Sequence, residues 1–123
     1  MKHKILVIDD QESICLIIEN FLSVNYDVVI KNDGLQALEW LEENLPDLII
    51  SDVQMPNING YQFLEKVRQL SVTKHTPVIM LSASASNKEK LECDRLGAQD
   101  FLIKPFNLKE LEKLVRKNLS PNL

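Results

Sequence analysis

Short apolar runs alternate with longer amphipathic ones along the whole chain. Five short runs are rich in β-branched residues and apolar at consecutive positions: Lys4–Ile8 (KILVI), Asp27–Lys31 (DVVIK), Leu48–Ser51 (LIIS), Pro77–Leu81 (PVIML) and Phe101–Ile103 (FLI). Strands that are apolar at consecutive positions are buried on both faces, the pattern of a parallel sheet covered by helices. Helical patterns fill the gaps. Gln11–Leu22 is apolar at Ile14, Ile17, Ile18, Phe21 and Leu22, and Tyr61–Leu70 carries Phe63, Leu64, Val67 and Leu70 on one face. Asp33, with Gln36 three residues on, reads as the N-cap of a helix that turns Leu38, Leu41 and Leu45 inward. Asn87–Leu96 is polar, with a narrow stripe of Leu91 and Leu96, and stops at Gly97. Asn107 and Glu110 read as a capping box for a last helix through Leu119, apolar at Leu111, Leu114, Val115 and Leu119. The loop after the third strand, VQMPNING, holds Pro56 and the turn pair Asn59-Gly60.

Strict alternation predicts an α/β fold: (βα)5, a doubly wound five-stranded parallel sheet with right-handed crossovers. Five units are too few for an eight-stranded barrel. The expected strand order is the common 2-1-3-4-5, flavodoxin-like arrangement. A chain of 123 residues is one domain's worth, so residues 1–123 are read as a single domain with no output domain. The tail SPNL is too short to be another.

Ligands of such sheets bind beyond the carboxyl ends of the strands, at the switch point. The first strand ends at Asp9-Asp10, the third at Asp52, the fourth at Ser82 and the fifth at Lys104. Three carboxylates brought together repel, and Lys104 supplies only one positive charge. A divalent ion would supply the rest, and an all-oxygen set without His or Cys points to Mg²⁺ or Mn²⁺. Beside a metal and a lysine, Asp52 is a candidate nucleophile toward phosphorus, giving an aspartyl phosphate. Ser82 would then donate to one phosphoryl oxygen and Lys104 would pair with another. Taken singly, Asp10 could be a plain N-cap, Ser82 a turn serine and Lys104 ordinary loop chemistry. Their joint placement at four strand ends is the stronger signal.

Composition narrows the classes. Hydrophobic residues are 45% and charged residues 26%, which excludes a disordered chain. No apolar run approaches the roughly 20 residues of a membrane span, and no signal peptide opens the chain. Cys15 and Cys93 form no metal or redox motif and read as small buried hydrophobes in a reducing cytoplasm. The net charge of −4 hides an asymmetry: eleven acids and three bases in residues 1–60, seven acids and eleven bases in 61–123. Lys109, Lys113, Arg116 and Lys117 read as a solvated helix face, and the overall acidity argues against direct nucleic-acid binding. His3, His75 and Trp40 carry no partner pattern. The histidines are expected to be exposed and the tryptophan partly buried.

ILVIDD at 5–10, DLIISDVQMPNING at 47–60, PVIMLSASA at 77–85 and GAQDFLIKPF at 97–106 together resemble the receiver domain of response regulators, the phosphoacceptor module of two-component signalling. The separations of 42, 30 and 22 residues between Asp10, Asp52, Ser82 and Lys104 match too. The resemblance covers essentially the whole chain and implies a chemotaxis-receiver-like switch, not a turnover enzyme. It implies phosphorylation at Asp52, Mg²⁺ held by Asp10, Asp52 and the backbone carbonyl of Gln54, and Asp9 acting through water. It also implies a cis Lys104-Pro105 bond, with Ser82 and Phe101 as the switch pair. Gln54 and Ser84 fall where the family tunes phosphate lifetime. The implied partners are a histidine kinase or histidine phosphotransfer protein and an unidentified downstream protein. No membrane is involved, and a phosphorylation-dependent homodimer is left open. Three rivals compete. A nucleotide or flavin module needs a phosphate loop where DDQES stands. A phosphohydrolase with an Asp nucleophile usually has a second Asp two residues on, where Gln54 stands. A receiver-like scaffold that is never phosphorylated sits poorly with the intact Asp9, Asp10, Asp52, Ser82 and Lys104.

Overall fold

A computed structural model describes residues 2–84 and 86–119, so the tail read at 120–123 lies outside the described residues. The elements are β1 (Lys4–Ile8), α1 (Glu12–Leu22), β2 (Asp27–Lys31), α2 (Gly34–Leu41), β3 (Leu48–Asp52), α3 (Gly60–Gln69), β4 (Val78–Ser82), α4 (Asn87–Arg95), β5 (Asp100–Ile103) and α5 (Leu108–Leu119). The five strands form one sheet in the order β2-β1-β3-β4-β5, every neighbouring pair parallel. This is the doubly wound topology that the alternation predicts.

Alternate strand residues serve opposite faces. Ile5, Val7, Leu48, Ile50, Ile79 and Leu81 pack with Ile18 and Leu22 of α1 and Leu111 and Val115 of α5. Leu6, Ile8, Ile49, Val78 and Met80 pack with Ala37 and Leu41 of α2, Phe63, Leu64 and Val67 of α3, and Cys93 of α4. β1, β3 and β4 are sandwiched between these two layers, which is why their apolar runs are continuous.

Several boundaries move, each for a local reason. Asp33 caps α2 as expected, accepting from the Gln36 amide. That helix ends at Leu41 in a tightened turn, with Glu42 N–H bonded to Glu39 O, and Leu45 beyond it is 57% exposed, not inward. Leu70 leaves the helical track in extended conformation and is also exposed. On α1, Cys15 takes the buried position and Ile17 faces outward at 52% exposure. On α4, Leu91 is exposed and Cys93 is the buried anchor. Asn59-Gly60 is not a turn but the start of α3, where Asn59 and Gln62 form a reciprocal capping box. Asn107 accepts from the Lys109 amide at 2.7 Å, while Glu110 makes no return bond among the described residues. His3 and His75 are exposed, Trp40 is half-buried, and both cysteines are buried and free.

Arg68, at the end of α3, was invisible to the sequence patterns. Its guanidinium donates to the carbonyls of Gly97, Thr73 and Thr76 and to the Gln99 side chain, at 2.8–3.2 Å. Gln99 in turn accepts from the Val78 amide at 2.7 Å. One planar fork thus ties α3, the entry to β4 and the α4–β5 turn. Arg68→Met should lower stability by about 1–3 kcal/mol, because partly buried carbonyls lose charge-assisted bonds. Arg68→Lys should recover only a minority of it. Thermal or urea unfolding of the three proteins reads this out.

Candidate functional site

The register brings the predicted residues to one edge. Ile8 of β1 pairs with Ser51 of β3, so Asp9 and Asp52 follow side by side at the ends of adjacent strands. This is the switch point, because β1 leads outward to β2 while β3 lies on its other side. Asp52 is level with Leu81 of β4, and Ser82 is level with Ile103 of β5, just before Lys104. The Lys104 amide bonds the Ser82 carbonyl at 2.7 Å, and the Lys104-Pro105 peptide is cis, as the resemblance implied.

Lys104 Nζ reaches across the strand ends. It lies 2.9 Å from Asp9 Oδ2 and 3.1 Å from Asp52 Oδ2, with Gln11 Oε1 at 3.5 Å. Asp9 is fully buried, Asp52 is 6% exposed and Asp10 is exposed. Asp9 also anchors the entry to α1, its Oδ1 accepting from the Gln11 amide at 2.9 Å. Asp10 therefore does not serve as the helix cap. The N-cap position is Gln11, which makes no side-chain cap. Asp52 Oδ1 receives the Gln54 amide at a long 3.4 Å.

One carboxylate oxygen from each of Asp9, Asp10 and Asp52 lies within 4.8 Å of the others. Three acids against one lysine leave excess negative charge at a mostly buried spot. Burial, reinforced by Asp9, pushes the Asp52 carboxyl above the ordinary carboxylate range against the pull of Lys104. Burial also opposes the Lys104 charge, but the hydrogen bond to Asp9 and the charge of Asp52 outweigh it and lift its ammonium above the usual lysine value. An all-oxygen set short of positive charge fits a hard divalent cation.

The peptide behind Asp52 is pinned by Gly60. A Cβ there would lie 2.3 Å from the Asp52 carbonyl oxygen and 2.7 Å from Val53 Cα. The Gly60 amide bonds Val53 O at 2.7 Å. Only glycine allows α3 to begin this close to the strand end.

Ser82 is buried beside the cluster but not bonded to it. Its Oγ donates to Glu89 Oε1 of α4 at 3.0 Å and accepts from the Ser84 amide at 3.1 Å. Tyr61 of α3 donates to the same Glu89 oxygen at 3.3 Å. Phe101, half-buried on β5, packs with the α2–α4 layer and lines a cleft of about 190 Å³ with Cys93 and Ala98. Glu89, Tyr61 and the Gln11 side chain escaped the sequence reading. They are polar helix residues, and nothing in their spacing marks them.

Known proteins share this sequence pattern and this fold. The response regulator receiver domain model matches residues 5–116. A protein named "Probable transcriptional regulator ycf27" from Guillardia theta is 39% identical over 116 residues, 94% of this chain and 44% of that protein. The chain therefore spans less than half the length of such curated relatives. The chemotaxis response regulator CheY4 of Vibrio cholerae superposes with a TM-score of 0.91 at 37% identity, covering 97% of this chain and all of that one. The receiver domain of a Pseudomonas aeruginosa sensor histidine kinase, with a magnesium ion coordinated in its active-site cleft, superposes at 0.88 with 29% identity, covering 97% and 98%. Sequence, topology and the acidic pocket agree: this chain belongs to the response regulator receiver domain family of two-component signalling.

Proposed function

We propose that Asp52 is the phosphoacceptor and that this chain, as a single receiver unit over residues 1–123, switches between two states on its phosphorylation. The observation that carries the reading is the Lys104 ammonium within 3.1 Å of Asp52 in a three-carboxylate cluster. An Asp52 oxygen attacks the phosphorus of a phosphohistidine, the oxygen–phosphorus bond forms, and the phosphorus–nitrogen bond breaks with its electron pair on the imidazole. Asp9, Asp10, Asp52 and the Gln54 carbonyl would hold Mg²⁺, with Mn²⁺ as the chemically similar alternative. When bound, the ion supplies positive charge against the phosphoryl oxygens and relieves repulsion among the acids. Lys104 pairs with one phosphoryl oxygen and Ser82 donates to another, while Phe101 turns into the space that Ser82 leaves. The chain is a switch and not a turnover catalyst: its product stays attached to its own side chain.

The donor is a histidine kinase or phosphotransfer protein. An apolar cavity of about 280 Å³ supports this, lined by Ile14, Ile17 and Ile18 of α1 and by Lys104, Pro105, Phe106 and Leu108. It shares Lys104 with the acidic cluster, so a partner seated there would bring its phosphohistidine to Asp52. No helix among the described residues is long and apolar enough to cross a membrane. We read the site of action as cytoplasmic, a reading that the free buried cysteines support.

Acetyl phosphate with Mg²⁺ should add one phosphoryl group, seen by intact-mass spectrometry and absent in Asp52→Ala. An equal mass gain in that variant would refute the assignment. Mg²⁺ at tenfold excess over its Kd should stabilise the fold by about 1.4 kcal/mol, raising the melting temperature by several degrees. The rise should shrink in Asp10→Asn. Ile17→Asp should slow transfer from a phosphohistidine-bearing donor protein by about tenfold or more while leaving acetyl phosphate labelling unchanged. Equal loss with both donors would place Ile17 in the site and not in docking.

A further inference from the structure

We propose that Glu89 of α4 is a positioning residue that withholds the Ser82 hydroxyl from the phosphoryl group, so that full engagement of the phosphate requires breaking an α4 contact. The inference rests on the reading of Asp52 as phosphoacceptor. A serine hydroxyl has one hydrogen to donate. Ser82 is 1% exposed, and its hydrogen goes to Glu89 Oε1 at 3.0 Å. Its acceptor side is occupied by the Ser84 amide. To donate toward Asp52, the hydroxyl must leave a charge-assisted bond, which is roughly twice as strong as a neutral one. Glu89 is itself held in place: Tyr61 donates to the same oxygen from α3. Burial, and then the charge of Glu89, push that phenol up to about 12, so it remains a protonated donor.

The loop from β4 into α4 transmits the move. Ser84 N–H bonds Ser82 Oγ, Ser86 N–H bonds Ser84 Oγ, and Lys88 N–H bonds Ser86 Oγ, all at 3.1 Å. Three equal steps of two residues link the strand end to the first turn of α4. Turning Ser82 toward Asp52 breaks both the first rung and the Glu89 bond, so the disturbance lands on α4, which carries the exposed Leu91.

The test is a beryllofluoride titration of the full chain in saturating Mg²⁺, followed by backbone ¹⁵N shifts. Glu89→Ala should bind the mimic about tenfold more tightly than wild type, since one hydrogen bond to a carboxylate no longer competes. Before any mimic is added, its Ser84 and Lys88 amides should already have moved toward their mimic-bound positions. In a Ser82→Ala background the same Glu89→Ala change should have no effect on affinity. Glu89→Gln keeps an acceptor oxygen without the charge and should stay within about threefold of wild type. Wild-type affinity in Glu89→Ala overturns the proposal. So does tightening that persists without the Ser82 hydroxyl, which would mean that charge removal or a loosened helix is responsible. If the wild-type chain fails to bind the mimic at all, the phosphoacceptor reading falls and the role of Glu89 with it.

Discussion

Like charges gathered at buried strand ends are the constraint to which the site answers. Asp9 and Asp52 sit side by side at the ends of adjacent strands, mostly out of water, with Asp10 next to them. A single ammonium, from Lys104 just past β5, spans the gap to Asp9 after β1 and Asp52 at the end of β3. Lys104 thereby ties one sheet border to the sheet centre, and the hydrogen bonds and charges of the two carboxylates together outweigh its own burial. The remaining negative charge is a fixed cost of the resting domain. It is also what suits the pocket to a divalent cation, as functional sites commonly trade stability for chemistry.

The scaffold holds Asp52 and Ser82 through strand backbone, while Asp9, Asp10 and Lys104 lie just past the ends of their strands. Asp52 and Ser82 are the last residues of their strands, so sheet pairing fixes their positions to within a residue step. Gly60 lets α3 begin directly against the Asp52 peptide. On the opposite edge, the Arg68 fork clamps the entry to β4 to the α4–β5 turn. The β4–α4 connection between these anchors is different in kind. It is held by serine hydroxyls and one carboxylate, bonds that can be exchanged one at a time. A rigid floor and an exchangeable wall suit a domain with two states.

Much of this was legible in the order of residues. The alternation of apolar runs and amphipathic stretches determined the (βα)5 fold, because burial of strands on both faces leaves a pattern that needs no knowledge of contacts. The strand-end residues Asp9, Asp10, Asp52, Ser82 and Lys104 followed, because a parallel sheet delivers all its carboxyl ends to one edge. Where the reading failed, a competing local preference had won. Leu45 and Leu70 left their helices early, and Ile17 and Leu91 ceded burial to the smaller Cys15 and Cys93.

Tertiary structure alone decided which partners these side chains take. Ser82 turns to Glu89, seven residues away on α4, and Tyr61 reaches the same oxygen from α3. Arg68 finds carbonyls up to 29 residues distant. The pattern of a helix's buried face is written along its own sequence, because burial follows a period. The partner of a polar side chain depends on how two separately formed elements pack, and no period in the chain records that.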